Sequence, residues 1–511
     1  MKRFFKVLFD RLSIVIVLLV IQLVILISMI LHFEEHFVSF YVISVILSTI
    51  AVLYILNSKS NPSYKMAWLI PILTIPIFGI SFYLIFGKNR LSNRTKRKMQ
   101  KIEEKTKSNL EVDEKVKKEL QKESIEAYLQ SNYIEDYAFC PVYKKTQTEY
   151  LPSGEQYFEK LKQELKEAKH YIFIESFIIE EGVMWNSILD ILIQKIKENV
   201  EVRLIYDDLG CIRTLPYKYN EKLEKLGIKV AIFNPFIPVL NSRFNNRDHR
   251  KIIVIDGHTG FTGGINLADE YINVYPKYGH WKDTGILLKG EAVWSFTISF
   301  LSIWDYIKNQ DEDYSKYRPQ IYQEHYFKND GFVQPYSDSP LDDEGIGENI
   351  YMNLINRAKE YIYITTPYLI IDNEMVSALS LAAKNGVDVR IITPHIPDKW
   401  YVHTVTRAYY ENLIESGVKI YEYTEGFIHA KTFVVDDIYA TVGTVNLDYR
   451  SLYLHFECGT WLYHTQSVIS IREDFFKTLE ISEPITLQTC KNTSKFKRIG
   501  RAILRIFAPL M

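Results

Sequence analysis

Two short stretches of this 511-residue chain carry the same reactive groups at the same spacing. His249 and Lys251 lead into four apolar residues and Asp256. His429 and Lys431 lead into Thr432, Phe433, Val434, Val435 and Asp436. Each copy continues into a small-residue turn and an amide: Gly263, Gly264 and Asn266 in one, Gly443, Thr444 and Asn446 in the other. An imidazole can attack phosphorus or move a proton, and an ammonium can neutralise a phosphate oxygen. Exchange of a phosphate ester through a covalent intermediate needs one imidazole as nucleophile and a second to protonate the leaving oxygen. Two matching half-sites supply that pair. One H-x-K on a strand reads as a surface accident, but two copies with matched downstream spacing do not.

The elements that must position these groups are also duplicated. Residues 171–175 parallel 361–365, residues 200–205 parallel 387–392, and residues 227–230 parallel 417–420. The interval from Tyr171 to Gly227 is 56 positions, as is that from Tyr361 to Gly417. Gly227 precedes His249 by 22 positions, whereas Gly417 precedes His429 by 12, so an insertion of ten residues lies within 231–248. From His to Asn the interval is 17 in both copies. A repeat on this scale indicates duplicated domains.

Each half reads as α/β. Residues 171–175 form a short apolar run expected of a strand buried on both faces. Residues 185–199 carry apolar groups at helical spacing, 202–206 suggest a second strand, and 219–226 a second helix. This alternation predicts a sheet flanked by helices. The motifs themselves read as strands, with His249 and Lys251 two apart on one face.

Composition bounds the rest. A chain of this length holds two or three domains. Sixty-one basic and 62 acidic residues leave a net charge of −1, which gives no support to a nucleic-acid substrate. Cys140, Cys211, Cys458 and Cys490 show neither C-x-x-C pairing nor metal-ligand spacing, so reduced thiols are expected and no metal or cofactor is called for. His395 and His403, near Pro394 and Pro397, read as loop residues that could also face the site.

The amino end is hydrophobic. Residues 12–31, interrupted by one strongly polar group, Gln22, and residues 37–56 are each long enough to cross a bilayer as a helix. Residues 66–86 are also apolar, but Pro71, Pro76 and Gly79 interrupt them. If all three segments span, the flanking cations split evenly across the membrane. If the third enters and returns, Lys2, Arg3, Lys6, Arg11, Lys59, Lys65 and the basic run after Phe86 all lie on one side. The positive-inside rule favours the second arrangement, with a cytoplasmic catalytic body. Residues 88–130, rich in Lys and Glu, read as a solvated helical connector. In residues 495–508, Phe496, Ile499, Ile503 and Ile506 share one helical face and Arg498, Arg501 and Arg505 another. That pattern suits either an anionic membrane surface or a docked helix.

These features together resemble a bacterial-type cardiolipin synthase of the phospholipase D superfamily. The resemblance rests on both H-x-K-x-x-x-x-D motifs and on the stretches Thr262 to Leu267 and Gly443 to Ser451. Ala67, Trp68 and Leu69, Phe86, Gly87 and Lys88, and the terminal Ala508 to Met511 add to it. The family's usual Gly-Ser after each motif is Gly263-Gly264 and Gly443-Thr444 here, so Thr444 keeps a hydroxyl and Gly264 does not. His455 stands where the family more often has Asn, and no role is drawn from it.

The resemblance implies two pseudo-symmetric phospholipase D-like halves, mixed sheets flanked by helices, at about 131–335 and 336–490. They follow a membrane region at 1–87 and the connector at 88–130, and precede a basic amphipathic tail at 491–511. It implies joining of two phosphatidylglycerol molecules into cardiolipin with release of glycerol, through a phosphohistidine. The protein would be a multi-pass cell-membrane enzyme whose partners are phosphatidylglycerol, cardiolipin and membrane lipids. Alternatives are a phospholipase D hydrolase releasing phosphatidic acid and a synthase with phosphatidylethanolamine as donor. The candidate catalytic set is His249, Lys251, Asp256, His429, Lys431 and Asp436, with His249 favoured as nucleophile by the resemblance. Within it, Asp256 and Asp436 read as strand-end anchors. Asn266 and Asn446 would bind the phosphate, and Asp283 and Glu457 would orient the imidazoles.

Overall fold

The structure, a computed structural model, describes residues 37–87, 93–235, 245–319, 327–341 and 344–510, with scattered positions before residue 37. The first expected span, 12–31, and most of the inserted stretch, 231–246, lie outside the described residues.

The first half contributes β1 (Thr146–Leu151), β2 (Tyr171–Ser176), β3 (Glu201–Asp207), β4 (Lys229–Phe233), β5 (Ile252–Ile255), β6 (Thr259–Gly263), β7 (His280–Lys282) and β8 (Gly285–Gly290). The second contributes β9 (Phe332–Asp338), β10 (Tyr361–Thr365), β11 (Leu369–Ile370), β12 (Asp388–Pro394), β13 (Lys419–Tyr423) and β14 (Gly426–Ile428). It continues with β15 (Thr432–Val435), β16 (Tyr439–Gly443), β17 (Leu447–Asp448), β18 (Glu457–Tyr463) and β19 (Ser482–Ile485). The sheet orders are β1-β8-β6-β5-β2-β3-β4 and β9-β18-β16-β15-β10-β12-β13, with β19 added at the edge of the second. The two therefore correspond strand for strand, as the duplicated sequence requires. β2, β3 and β4 run parallel, while β5, β6, β8 and β1 pair antiparallel, so the sheets are mixed. Every residue of β2, β5 and β6 is buried, which explains the apolar run of β2 from Tyr171 to Ile174 and of the whole of β5. The expected boundary between residues 335 and 336 runs through β9, which pairs with β18 in the second sheet.

Helix Val183–Lys197 starts two residues before the expected 185 because the Asp269 carboxylate accepts the amides of Val183 and Met184 at 2.9 and 2.8 Å. It ends before Asn199, whose φ of 65° is left-handed. Helix Val293–Lys308 is mostly apolar and buried without a break from Val293 to Asp305. It ties the halves together. Phe300 stacks on Phe173 of β2 at 4.7 Å, and Ser299 hydrogen-bonds Ser337 of β9 at 2.8 Å.

The stretch expected as a solvated connector is helical but not merely solvated. Its helices are Asn93–Asn109, Glu114–Glu123 and Ile125–Ala138. Leu120 on the second of these helices, and Ala127 and Ile134 on the third, are buried against the main core. Gln334 of β9 donates to the carbonyls of Ser131 and Cys140 at 3.0 and 2.7 Å. Sparse apolar residues suffice to dock charged helices.

At the amino end, Phe37–Leu56 is a 20-residue helix without a charged residue. Its side chains are described from Tyr41 onward, and among the described residues no helix is long and apolar enough to cross a membrane. Residues 66–86 fall on two short helices, Pro62–Thr74 and Pro76–Phe86, broken at Ile75 (φ −135°, ψ 79°). The second folds back on the first. A Cβ on Gly79 would lie 2.5 Å from the Pro71 carbonyl, so only glycine allows this approach. Asn61, which caps the first helix, donates to Asp372 and to the Tyr453 hydroxyl of the second half at 3.0 and 3.1 Å.

Candidate active site

The motif residues stand just before their strands, not within them as the spacing suggested. β5 begins at Ile252 and β15 at Thr432. The reason is that the backbone ahead of each strand is held by the opposite half. The His249 amide donates to the Phe456 carbonyl at 2.9 Å, and the Phe456 amide donates to the Arg247 carbonyl at 2.8 Å. The His429 amide donates to the Lys282 carbonyl at 2.7 Å, where β7 and β14 pair in parallel.

The side chains cross in the same way. His249 Nδ1 lies 2.9 Å from both carboxylate oxygens of Glu457, and His429 Nδ1 lies 2.7 Å from Asp283 Oδ2. Both carboxylates are fully buried. Asp283 and Glu457 are equivalents, each two residues before the glycine (Gly285 or Gly459) that pairs with the glycine ending β6 or β16. A carboxylate only accepts, so it fixes the proton of each neutral ring on Nδ1 and leaves Nε2 as a free lone pair. That is the tautomer a nucleophile or a base needs.

Lys251 and Lys431 are buried beside the imidazoles and donate to the carbonyls of His249 and His429 respectively. Burial pushes Lys251 down to about 8 and Lys431 to about 7. Burial, reinforced by the two lysines, holds His249 well below its ordinary range. Burial and Lys431 bring His429 to about 4 against the opposing pull of Asp283. The site is thus short of negative charge, and a phosphodiester would supply it.

Asn266 is held by two bonds, accepting the Ile178 amide at 3.0 Å and donating to the Tyr271 hydroxyl at 2.6 Å. Asn446 keeps a buried Oδ1 without a hydrogen-bond partner among the described residues. Asp256 and Asp436 lie at the far ends of the motif strands. Asp256 accepts the amides of Lys169, His170 and Tyr171 at 2.7, 2.7 and 2.8 Å, and Asp436 those of Lys359, Glu360 and Tyr361 at 2.7, 3.0 and 2.7 Å. These two aspartates clamp the start of β2 and β10 and do not approach the imidazoles' carboxylates. Thr444 donates its hydroxyl to Glu457 and accepts the Cys458 amide at 3.0 Å. Gly264 offers no such group, and a Cβ there would fall 2.1 Å from Asp283 Oδ1.

Several contributors escape a sequence reading. Arg250, between His249 and Lys251, faces away and pairs with Glu175 at 2.5 Å and Asp248 at 3.1 Å, all buried. The second half has Ala430 in place of Arg250 and Thr365 in place of Glu175, and Thr365 bonds the Thr432 hydroxyl at 2.5 Å. The buried carboxylate of Asp207, pushed up to about 7 by burial, accepts the Asp248 amide at 3.1 Å. The His455 ring lies 5.6 Å from that of His249, tilted by 44°, and among the described residues neither of its nitrogens is hydrogen-bonded, although Nδ1 is 3.7 Å from Glu457. His249, His455 and Glu457 could present three metal-ligand atoms within 4.8 Å of one another. Their spacing hid this cluster because the two halves supply it jointly. An ion there would take the Nδ1 that now holds the orienting bond. His395 follows β12 and His403 lies on helix Trp400–Glu415, and both face the buried Glu422 instead of the catalytic pair.

Two mixed sheets of equal topology that exchange carboxylates around paired H-x-K groups define a phospholipase D-like protein. The family described as cardiolipin synthase, PLD-like domain, matches residues 161–275 and 351–479, and the phospholipase D-nuclease N-terminal family matches 46–88. A cardiolipin synthase of Halalkalibacterium halodurans is 35% identical over 91% of this chain and 93% of its own length. An uncharacterised protein of Streptococcus mutans is 44% identical over 90% and 99%. The crystal structure of Haemophilus influenzae phosphatidylserine synthase superposes with a TM-score of 0.56 at 16% identity, covering 74% of this chain and 97% of that one, a likeness of fold. The chain belongs to the cardiolipin synthase family.

Proposed function

We propose that the protein is a cardiolipin synthase that moves a phosphatidyl group from one phosphatidylglycerol to another. The carrying observation is the crossed pairing of His249 with Glu457 and His429 with Asp283. In the first step His249 Nε2 attacks phosphorus, the bond from phosphorus to the glycerol oxygen breaks, and His429 gives that oxygen a proton. In the second step the neutral His429 takes the proton of the incoming glycerol hydroxyl, whose oxygen attacks phosphorus while the bond to His249 breaks. Lys251, Lys431, Asn266 and Asn446 hold the non-bridging oxygens as charge builds. The substrate's own negative charge raises the affinity of His429 for the proton it must donate.

Membrane attachment supports transfer over hydrolysis by offering a lipid hydroxyl and excluding water. Residues 12–31 and Phe37–Leu56 are the two spans in this reading. The segment 66–86 re-enters, because helices of 13 and 11 residues reach only about 20 and 17 Å at 1.5 Å per residue. The catalytic body then faces the cytoplasm. Purified protein added to phosphatidylglycerol vesicles should yield cardiolipin and free glycerol by mass spectrometry. Phosphatidic acid as the main product would defeat the transferase reading. An impermeant thiol reagent labelling Asn132→Cys from outside intact cells would overturn the topology.

A further inference from the structure

The tail helix, Lys495–Ile506, is docked the opposite way round from an ordinary surface helix. Arg501 and Arg505 turn toward the protein and are half-buried, while Arg498 stays exposed at the rim. Arg505 lies over the Tyr409 ring at 4.5 Å, Arg498 approaches Glu411 at 3.6 Å, and Arg501 approaches the Thr493 hydroxyl at 3.4 Å. Its apolar face turns outward, with Phe496 89%, Ile499 58%, Ile503 52% and Ile506 42% exposed. Such a face demands a cover.

Between this helix and helix Trp400–Glu415 runs an open groove of about 470 Å³. Arg407, Arg498, Arg501 and Arg505 line it, and Glu411 is the one carboxylate among the lining residues. Arg407 is already neutralised by Glu422 at 2.5 Å. Arg501 and Arg505 have no carboxylate partner among the described residues, so the groove keeps a surplus of positive charge. Burial, reinforced by the neighbouring Arg407, pushes Arg501 below the ordinary guanidinium range. Ile506 and Ala502 also line it, where the basic face meets the apolar one.

The groove also sits beside the hydrophobic amino region. Leu510, just past the helix, packs on the cluster of Ile55, Trp68, Leu69, Ile72 and Tyr83. An anion with apolar chains attached is the ligand that fits both surfaces. Its phosphate meets the arginines, and its chains cover Phe496, Ile499 and Ile503.

We infer that the groove between helices Trp400–Glu415 and Lys495–Ile506 is a second site for an anionic phospholipid, separate from the catalytic imidazoles, that seats the tail in the membrane surface. Arginine matches phosphate geometry with two parallel donors. Cations near an anionic surface attract it within a Debye length, so the contact weakens in high salt.

The test uses the full chain carrying His249→Ala, so that phosphatidylglycerol is not consumed. The protein is placed in nanodiscs of phosphatidylcholine alone or with added phosphatidylglycerol, and amide exchange is followed over residues 495–506. The anionic lipid is expected to slow exchange there by about tenfold, and raised salt to reverse the effect. Arg498→Gln, Arg501→Gln and Arg505→Gln together should abolish the difference, and Arg501→Gln alone should reduce it. Unchanged exchange in Thr432–Val435 certifies that the variants are folded. Inorganic phosphate added to phosphatidylcholine discs should leave the tail's exchange as it was. Protection by phosphate alone would make this a free-anion site and sink the lipid assignment. Equal protection in neutral and anionic discs, or full protection in the triple variant, would sink the site.

Discussion

His249 Nδ1 sits 2.9 Å from both oxygens of Glu457, a residue 208 positions later in the other half. Glu457→Gln keeps the shape but can present an NH₂ where Nδ1–H must donate, so the ring loses its tautomer. Turnover is expected to fall by about 10²–10⁴-fold, and Asp283→Asn should do the same to His429. The double variant should be little worse than either single one, because the four groups act as one unit. Steady-state kinetics on phosphatidylglycerol vesicles checks this, and additive losses would argue for two independent sites.

The buried lysines set a pH dependence. kcat/KM reports the free enzyme, in which Lys251 ionises at about 8 and Lys431 at about 7. Both must be charged to hold phosphate, so kcat/KM should decline as pH rises through this range. A profile flat to about pH 9 would contradict the assignment.

The same shifts bear on stability. Both folded values lie below the ordinary 10.5, so from about 7 upward the unfolded chain binds more protons than the folded one. Stability of the ligand-free protein therefore rises with pH over that window and is lowest below it. Lys431→Met should abolish turnover while raising stability at neutral pH by about 1–2 kcal/mol, read from the melting temperature.

Arg250 is the cation of a buried network that the second half lacks. Arg250→Ala alone strands Glu175 and should cost about 3–5 kcal/mol. Adding Glu175→Thr removes one of the two stranded carboxylates, Asp248 being the other, and should recover part of that loss. No recovery would show that the pair is not a self-contained unit.

The repeat, its register and the identity of the reactive groups were readable from spacing, because strand length and turn length tie the motif to its amide rigidly. The crossing of carboxylates was not. Asp283 lies 34 positions after His249 and Glu457 lies 28 after His429, so no common interval marks them as equivalents. Leu120, Ala127 and Ile134 were hidden for another reason. Charge dominates their surroundings, and three apolar residues are a faint signal. The direction in which the tail helix faces depends wholly on what it packs against, and its amphipathic pattern reads the same either way.

The turns after the motifs differ in what they tolerate. Gly264→Ala should displace Asp283 from His429 and lower turnover by at least about tenfold. Thr444→Ser keeps the hydroxyl that Glu457 accepts and should stay near wild type, whereas Thr444→Ala should not.

Asp256→Ala removes the acceptor of three backbone amides and should cost about 2–4 kcal/mol of stability. Activity per folded molecule should change only a few-fold. A large loss of kcat at full stability would place Asp256 in the chemistry after all.

The mutual backbone clasp, His249 to Phe456 and His429 to Lys282, has the form of two identical subunits meeting about a two-fold axis. Joining the copies in one polypeptide releases them from identity. Arg250 corresponds to Ala430, Gly264 to Thr444, and Asp283 to Glu457. A symmetric pair would receive a substrate in either of two orientations with equal ease. This fused and diverged pair can favour one, and so give its two histidines unequal careers.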